Sequence, residues 1–195
     1  MTPCDSLVLL GYSGVGKDTL ASLLEREFTG CSIIIIKFSC LTKQLVAKLW
    51  GVDPSLLENK QWRAATHYIV DGHPIKLTPM DLLSALYHGA PFSNLSLANI
   101  EVALASIKPG SFPVFTDIRR QLELDAVLRF WQPRIVWLSR PNVGPGPNDT
   151  DLLDLVNYCM KHDLEVVSIV NKNINTAFNK LTSCLYCPYE HTTIC

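Results

Sequence analysis

The chain has 195 residues, 48% of them apolar, and a net charge of −1 at neutral pH, so it can fill one domain with a sizeable core. It carries no long basic block that would serve as a nucleic-acid footprint, and its longest apolar run, around residues 32–36, is far too short to span a bilayer. Seven cysteines, an odd number behind an N-terminal stretch without a positively charged n-region, read as reduced thiols in a cytoplasmic protein without a signal peptide.

Short apolar runs alternate with segments of helical spacing, a pattern that predicts a parallel sheet covered by helices. The expected strands cover residues 7–10, 33–37, 113–117, 135–139 and 165–170. Leu20, Leu23, Leu24 and Phe28 define one helix face between the first two strands. A long insertion of about three helices, roughly residues 39–110, separates the second and third strands. Leu41, Leu45, Val46 and Leu49 begin its first helix. Thr78-Pro79-Met80-Asp81 reads as the start of another, with Thr at the cap, Pro in the first turn and an acid three residues on. A last helical stretch covers about 94–107. Beyond the third strand, Leu124, Val127, Leu128 and Trp131 repeat the spacing over 120–131, as do Ile174, Ala177, Phe178 and Leu181 near the end. The proline- and glycine-rich stretch of about 140–150 is a loop. The expected organisation is one domain over 1–183 and a cysteine-rich tail over 184–195.

The first strand runs into Gly11-Tyr12-Ser13-Gly14-Val15-Gly16-Lys17, and an amphipathic helix follows. Glycines let such a loop curl its N–H groups inward, and the helix N-terminus adds partial positive charge. Lys17 supplies a full charge for the β- and γ-phosphates of a nucleotide. Asp18 stands where a hydroxyl is usual, and Thr19 brings the hydroxyl one place later. Magnesium accepts either kind of hard oxygen, so Asp18 and Thr19 are the expected metal residues. Ser13, Gly14, Val15, Gly16, Lys17, Asp18 and Thr19 are the expected cofactor-binding residues of a nucleotide site with Mg2+.

Four islands of sequence carry a resemblance: SGVGKDT at the loop, KFSCLTKQLVAKLWGV after the second strand, PVFTDIRRQLELDAVLRFWQPRIVWLSRPN across the third and fourth, and NDT at 148–150. Together they resemble bacteriophage deoxynucleoside monophosphate kinases, over most of residues 6–183. The loop and general plan are shared with dephospho-coenzyme A kinases and animal-type phosphomevalonate kinases. The resemblance implies an α/β P-loop kinase fold, with a five-stranded parallel sheet flanked by helices, a helical acceptor-binding insertion and a short lid loop. It implies ATP-dependent phosphorylation of a deoxynucleoside monophosphate, in the host-cell cytoplasm if the origin is viral. A small-molecule nucleotide acceptor is then the expected partner, with no nucleic acid or membrane; a homodimer stays open. A kinase of another small phosphorylated acceptor and a catalytically inactive nucleotide-binding regulator are the alternatives.

Phosphoryl transfer asks for positioning and for cations around the migrating group. Arg119, one of two adjacent arginines just past the third strand, is the first candidate, since guanidinium suits phosphate. Asp117 either holds magnesium through water or accepts a hydrogen bond from the acceptor; it also suits a helix start. Arg140 ends the fourth strand where a lid arginine could close over both nucleotides. Lys37, Phe38, Lys43, Trp62 and Arg63 are the candidate acceptor contacts. Lys43 matches the lysine after the second strand in the resembled family. Lys76, Tyr87, His88 and Phe92 are secondary candidates, and each aromatic also reads as ordinary core packing. No arginine occurs from Ala64 to Ile118, so the acceptor is a different nucleotide, a different phosphate ester, or one held by lysines and helix N-termini. Asn171 and Lys172, after the last strand, match the place where such kinases cradle adenine; asparagine is equally ordinary turn chemistry. Finally, Cys184, Cys187, His191 and Cys195 could close a structural zinc site or belong to a frayed or docked terminus.

Overall fold

The computed structural model describes residues 5–28, 31–65, 68–70, 73–75, 77–88, 93–146, 149 and 151–186. The chain divides into two compact units, one made of Met1–Lys37 with Ile107–Cys195 and the other of Phe38–Ser106.

The first unit is an α/β layer structure. Its strands are β1 (Ser6–Leu10), β2 (Ser32–Ile36), β5 (Ser111–Phe115), β6 (Pro133–Ser139) and β7 (Val166–Val170), all parallel, in the order β2-β5-β1-β6-β7. All five residues of β1 are buried, as expected for a central parallel strand covered on both faces. That is why it reads as an unbroken apolar run and not as an alternation. The helices are α1 (Lys17–Glu27), α6 (Gln121–Phe130), α7 (Asp151–Lys161) and α8 (Ile174–Tyr186). Leu20, Ala21 and Leu24 of α1 pack with Ala177 and Leu181 of α8 onto Leu7, Leu9, Val136 and Leu138 of the sheet. The connection from β1 to β2 runs one way across the sheet, and those from β5 to β6 and β6 to β7 run the other. Right-handed crossovers therefore put α6 and α7 on the face opposite α1. These two helices meet where the Tyr158 hydroxyl donates to Asp125 at 2.6 Å.

The chain leaves β1 toward β2 and leaves β6 toward β7, although β1 and β6 are neighbours. Their carboxyl ends thus open a crevice, the topological switch point where sheets of this kind bind ligands.

The second unit holds α2 (Cys40–Trp50), a 3₁₀ turn (Pro54–Glu58), α3 (Lys60–Ala65), β3 (Tyr68–Val70), β4 (His73–Ile75), α4 (Pro79–His88) and α5 (Ser93–Ala105). It is not purely helical: β3 and β4 form a small antiparallel ladder that helical spacing did not announce. The buried face of α2 includes a polar residue. Thr42, Val46 and Ala47 are buried, while Leu45 and Leu49 are 41% and 54% exposed. The cause is polar: Asn99 of α5 accepts from the Thr42 backbone N–H at 3.1 Å and donates to its hydroxyl at 2.6 Å, turning Thr42 inward. The start of α4 follows the sequence pattern. Asp81 accepts from the Thr78 N–H at 2.9 Å, and the Thr78 hydroxyl accepts from the Asp81 N–H at 3.1 Å, a reciprocal cap. Among the described residues no helix is long and apolar enough to cross a membrane.

Candidate functional site

Residues 11–16 join β1 to α1 at the carboxyl edge of the sheet, beside the crevice. Gly11, at φ +137°, runs so close to β6 that a Cβ would collide with the Leu138 carbonyl oxygen. Gly16, at φ +104°, caps α1, and a Cβ there would sit 2.6 Å from the Asn171 amide nitrogen. Only glycine meets both demands, left-handed backbone and close approach. Val15 between them is fully buried in the core. The N-cap of α1 is Gly16, which offers no capping side chain, and the helix N-terminus adds its partial positive charge to the loop.

Lys17 folds back over the loop, its Nζ donating to the carbonyls of Gly11 at 2.5 Å and Tyr12 at 3.0 Å. Burial, and then the positive charge of Arg119, push its pKa from 10.5 down to about 8, against the pull of Asp18, Asp149 and Asp117. The ammonium is thus a poorly solvated cation beside a second cation. Asp18 pairs with Lys37 at 3.0 Å and accepts from the Thr116 hydroxyl at 3.2 Å. Burial alone would raise the Asp18 pKa, but the hydrogen bond and charge of Lys37, with Thr116 and Lys17, hold it below the ordinary carboxylate range. Thr19 is exposed on the first turn of α1. Lys37, expected to meet the acceptor, is here the partner of the expected metal residue.

Arg119 donates through Nη1 to Asp149 at 2.5 Å. The Asp149 side chain is 1% exposed, and its other oxygen accepts from the backbone N–H of Ser13 at 3.2 Å and of Gly146 at 2.9 Å. The Ser13 N–H, expected to point at phosphate, is therefore committed to a carboxylate. Glu123, 2% exposed, reaches back from α6 to accept from the N–H groups of Arg119 at 2.8 Å and Arg120 at 3.1 Å. Glu123 thus serves the start of α6, whose N-cap position is Arg120, so Asp117 is not needed as its cap. Asp117 is half-buried near Lys17. Arg140 is exposed at the end of β6, where its carbonyl closes a turn onto the Val143 N–H at 3.2 Å with Asn142 left-handed.

After β7, Asn171 turns inward: it is 5% exposed and its side-chain amide donates to the Val15 carbonyl at 2.8 Å. It holds the loop and offers no open surface to a base. Asn173 caps α8 by accepting from the N–H groups of Asn175 and Thr176, and Lys172 is exposed.

In the second unit, Lys43 pairs with Glu58 at 2.8 Å. Phe38 is fully buried and cannot stack on a ligand as it stands, which corrects the expectation for it. Trp62 packs against Val46, Ala47, Leu57 and Leu83, the core role its helical spacing equally allowed. Arg63 is half-buried in α3. Lys76 and Phe92, and the side chains of Tyr87 and His88, lie outside the described residues. So do Cys187, His191 and Cys195. Cys184 lies in α8, which runs through Tyr186, and packs against the sheet core as an apolar side chain. Among the described residues no group of three or more metal-ligating side chains converges.

Asp149, Thr116 and Glu123 were not singled out in the sequence. All three lie in segments that carry the resemblance, Thr116 and Glu123 in the stretch across the third and fourth strands and Asp149 in NDT, but none was given a role there. No protein-family model matches the chain, and no curated protein is similar enough in sequence to match it.

Proposed function

We propose that the protein is a P-loop kinase that transfers the γ-phosphoryl group of ATP to a deoxynucleoside monophosphate. The observation that carries this reading is the placement of the Lys17 ammonium. It is half-buried, rests on the Gly11 and Tyr12 carbonyls, and stands with Arg119 beside the N-terminus of α1 at the switch point of a parallel sheet. A concentration of cations and N–H donors is what a polyphosphate requires and what little else in a near-neutral chain explains. The donors also fit magnesium, since Asp18 is kept ionised and Thr19 offers an accessible hydroxyl.

Bound Mg-ATP supplies the phosphoryl group, with the metal offsetting charge on its oxygens. Lys17, with the N–H groups of Gly16, Lys17 and Asp18, would hold the phosphate oxygens. Arg119 neutralises the charge that spreads over the transferred group. Arg140 is the candidate to join it from the loop after β6, and Asp117 to orient the acceptor hydroxyl or phosphate. Lys43 and Arg63 are the candidate acceptor contacts on the helical unit.

The test is a coupled ADP-release assay with Mg-ATP against deoxynucleoside and nucleoside monophosphates, dephospho-coenzyme A and phosphomevalonate. Turnover on a deoxynucleotide is the expected result, with Arg119→Ala losing on the order of 10³-fold in kcat. Turnover only on a non-nucleotide moves the acceptor, and silence across the panel overturns the kinase reading in favour of a nucleotide-binding regulator.

A further inference from the structure

The strongest convergence in the first unit that the proposed chemistry does not use is at Asp149. Its carboxylate gathers three donors from three separate stretches: Ser13 of the phosphate loop, Gly146 of the proline- and glycine-rich loop, and the Arg119 guanidinium beyond β5. A side chain 1% exposed has left water to do this, and a buried carboxylate is tolerated only when its lone pairs are met. The donors divide cleanly, with both backbone N–H groups on Oδ2 and the guanidinium on Oδ1.

We propose that Asp149 is a positioning residue that fixes the Arg119 guanidinium beside the phosphate loop and ties the loop after β6 to it. Arg119 has a long side chain with several rotatable bonds, and Glu123 holds its backbone N–H. A charge-assisted bond at 2.5 Å to a carboxylate that is itself anchored on two N–H groups fixes the head group as well. Because Ser13 is one of the anchors, the guanidinium is referenced directly to the loop that would hold the phosphates. Asp149 touches no ligand in this scheme and acts only through Arg119 and the loop. The catalytic consequence rests on the kinase reading; the positioning itself does not.

Asp149→Asn keeps the shape but leaves one oxygen for three donors, so an amide NH2 must face either the guanidinium or the two N–H groups. Two measurements decide the matter. In 15N-labelled protein, the Arg119 guanidinium signal, assigned by its loss in Arg119→Lys, should be restrained and slow to exchange in the wild type, and averaged in Asp149→Asn. In the active enzyme, Asp149→Asn should lose about 10²-fold in kcat with the KM for ATP little changed, as for a misplaced catalytic group. Placed in the Arg119→Ala background it should cost almost nothing more. A freely rotating Arg119 in the wild type overturns the proposal, and needs no folded variant to be seen. So does an equal loss of kcat in both backgrounds, which would mark a purely structural role. A restrained Arg119 signal in a protein that phosphorylates nothing on the panel would leave the positioning standing and remove the kinase reading alone.

Discussion

Lys17 turns a pKa into two measurable consequences. Its pKa is about 8 in the fold, lowered by burial and by Arg119, against 10.5 when solvated. Between those values the folded chain binds fewer protons than the unfolded one, so stability rises with pH through that window, and below about pH 8 the buried charge is a cost. A phosphate placed on Lys17 reverses the balance by favouring the ammonium. ADP binding at about pH 9 should therefore take up close to one proton, measured by calorimetry in two buffers of different ionisation enthalpy. Lys17→Met should abolish that uptake, and its persistence in the variant would assign the proton elsewhere. Lys17 was legible because loop, strand and helix adjoin in sequence. Asp149 was not, since it lies 136 residues from the Ser13 N–H it accepts from, and no local pattern records such a contact. Asn171 was placed at the right spot with a different task, because a strand-end asparagine looks the same whether it faces a ligand or a neighbouring loop.

At the scale of elements, caps written in the sequence reappear where the pattern is local. Thr78 and Asp81 three residues apart suffice for α4, and Thr78→Ala should cost about 1 kcal/mol in the second unit, read by chemical denaturation. The cap of α6 is more demanding because Glu123 is buried and accepts from two N–H groups. Glu123→Ala should cost about 1–3 kcal/mol by the same measurement, since two half-buried donors lose their partner. A loss below half a kcal/mol would mean water replaces the carboxylate. The sheet strands were readable within two residues, as buried parallel strands are continuous apolar runs. On α2 the residue turned inward is a threonine held by Asn99 while two leucines stay exposed, and a partner so distant in sequence leaves no local pattern. The short β3–β4 ladder was missed although Asp71-Gly72, a hairpin dipeptide, stands between its strands in the sequence.

The whole molecule is a parallel sheet interrupted by a second compact unit between β2 and β5, which pair directly in register from Ser32 opposite Ser111 to Ile36 opposite Phe115. The sheet's own order therefore does not depend on residues 38–106, only on a crossover long enough to return to the start of β5. Replacing them with a linker of about a dozen residues should leave a cooperatively folding protein that still binds ADP but phosphorylates no acceptor. Circular dichroism, a thermal melt and calorimetry would check this, and a chain that fails to fold would show that the sheet needs its insertion. The loop between β1 and α1 is held at three nearby points: Gly11 against the Leu138 carbonyl, Ser13 on Asp149, and Val15 on Asn171. A loop so pinned has surrendered its conformational freedom during folding. A polyphosphate arriving there has little ordering left to impose, so its binding should be driven by enthalpy with a small entropic penalty, the thermodynamic mark of a preorganised receptor.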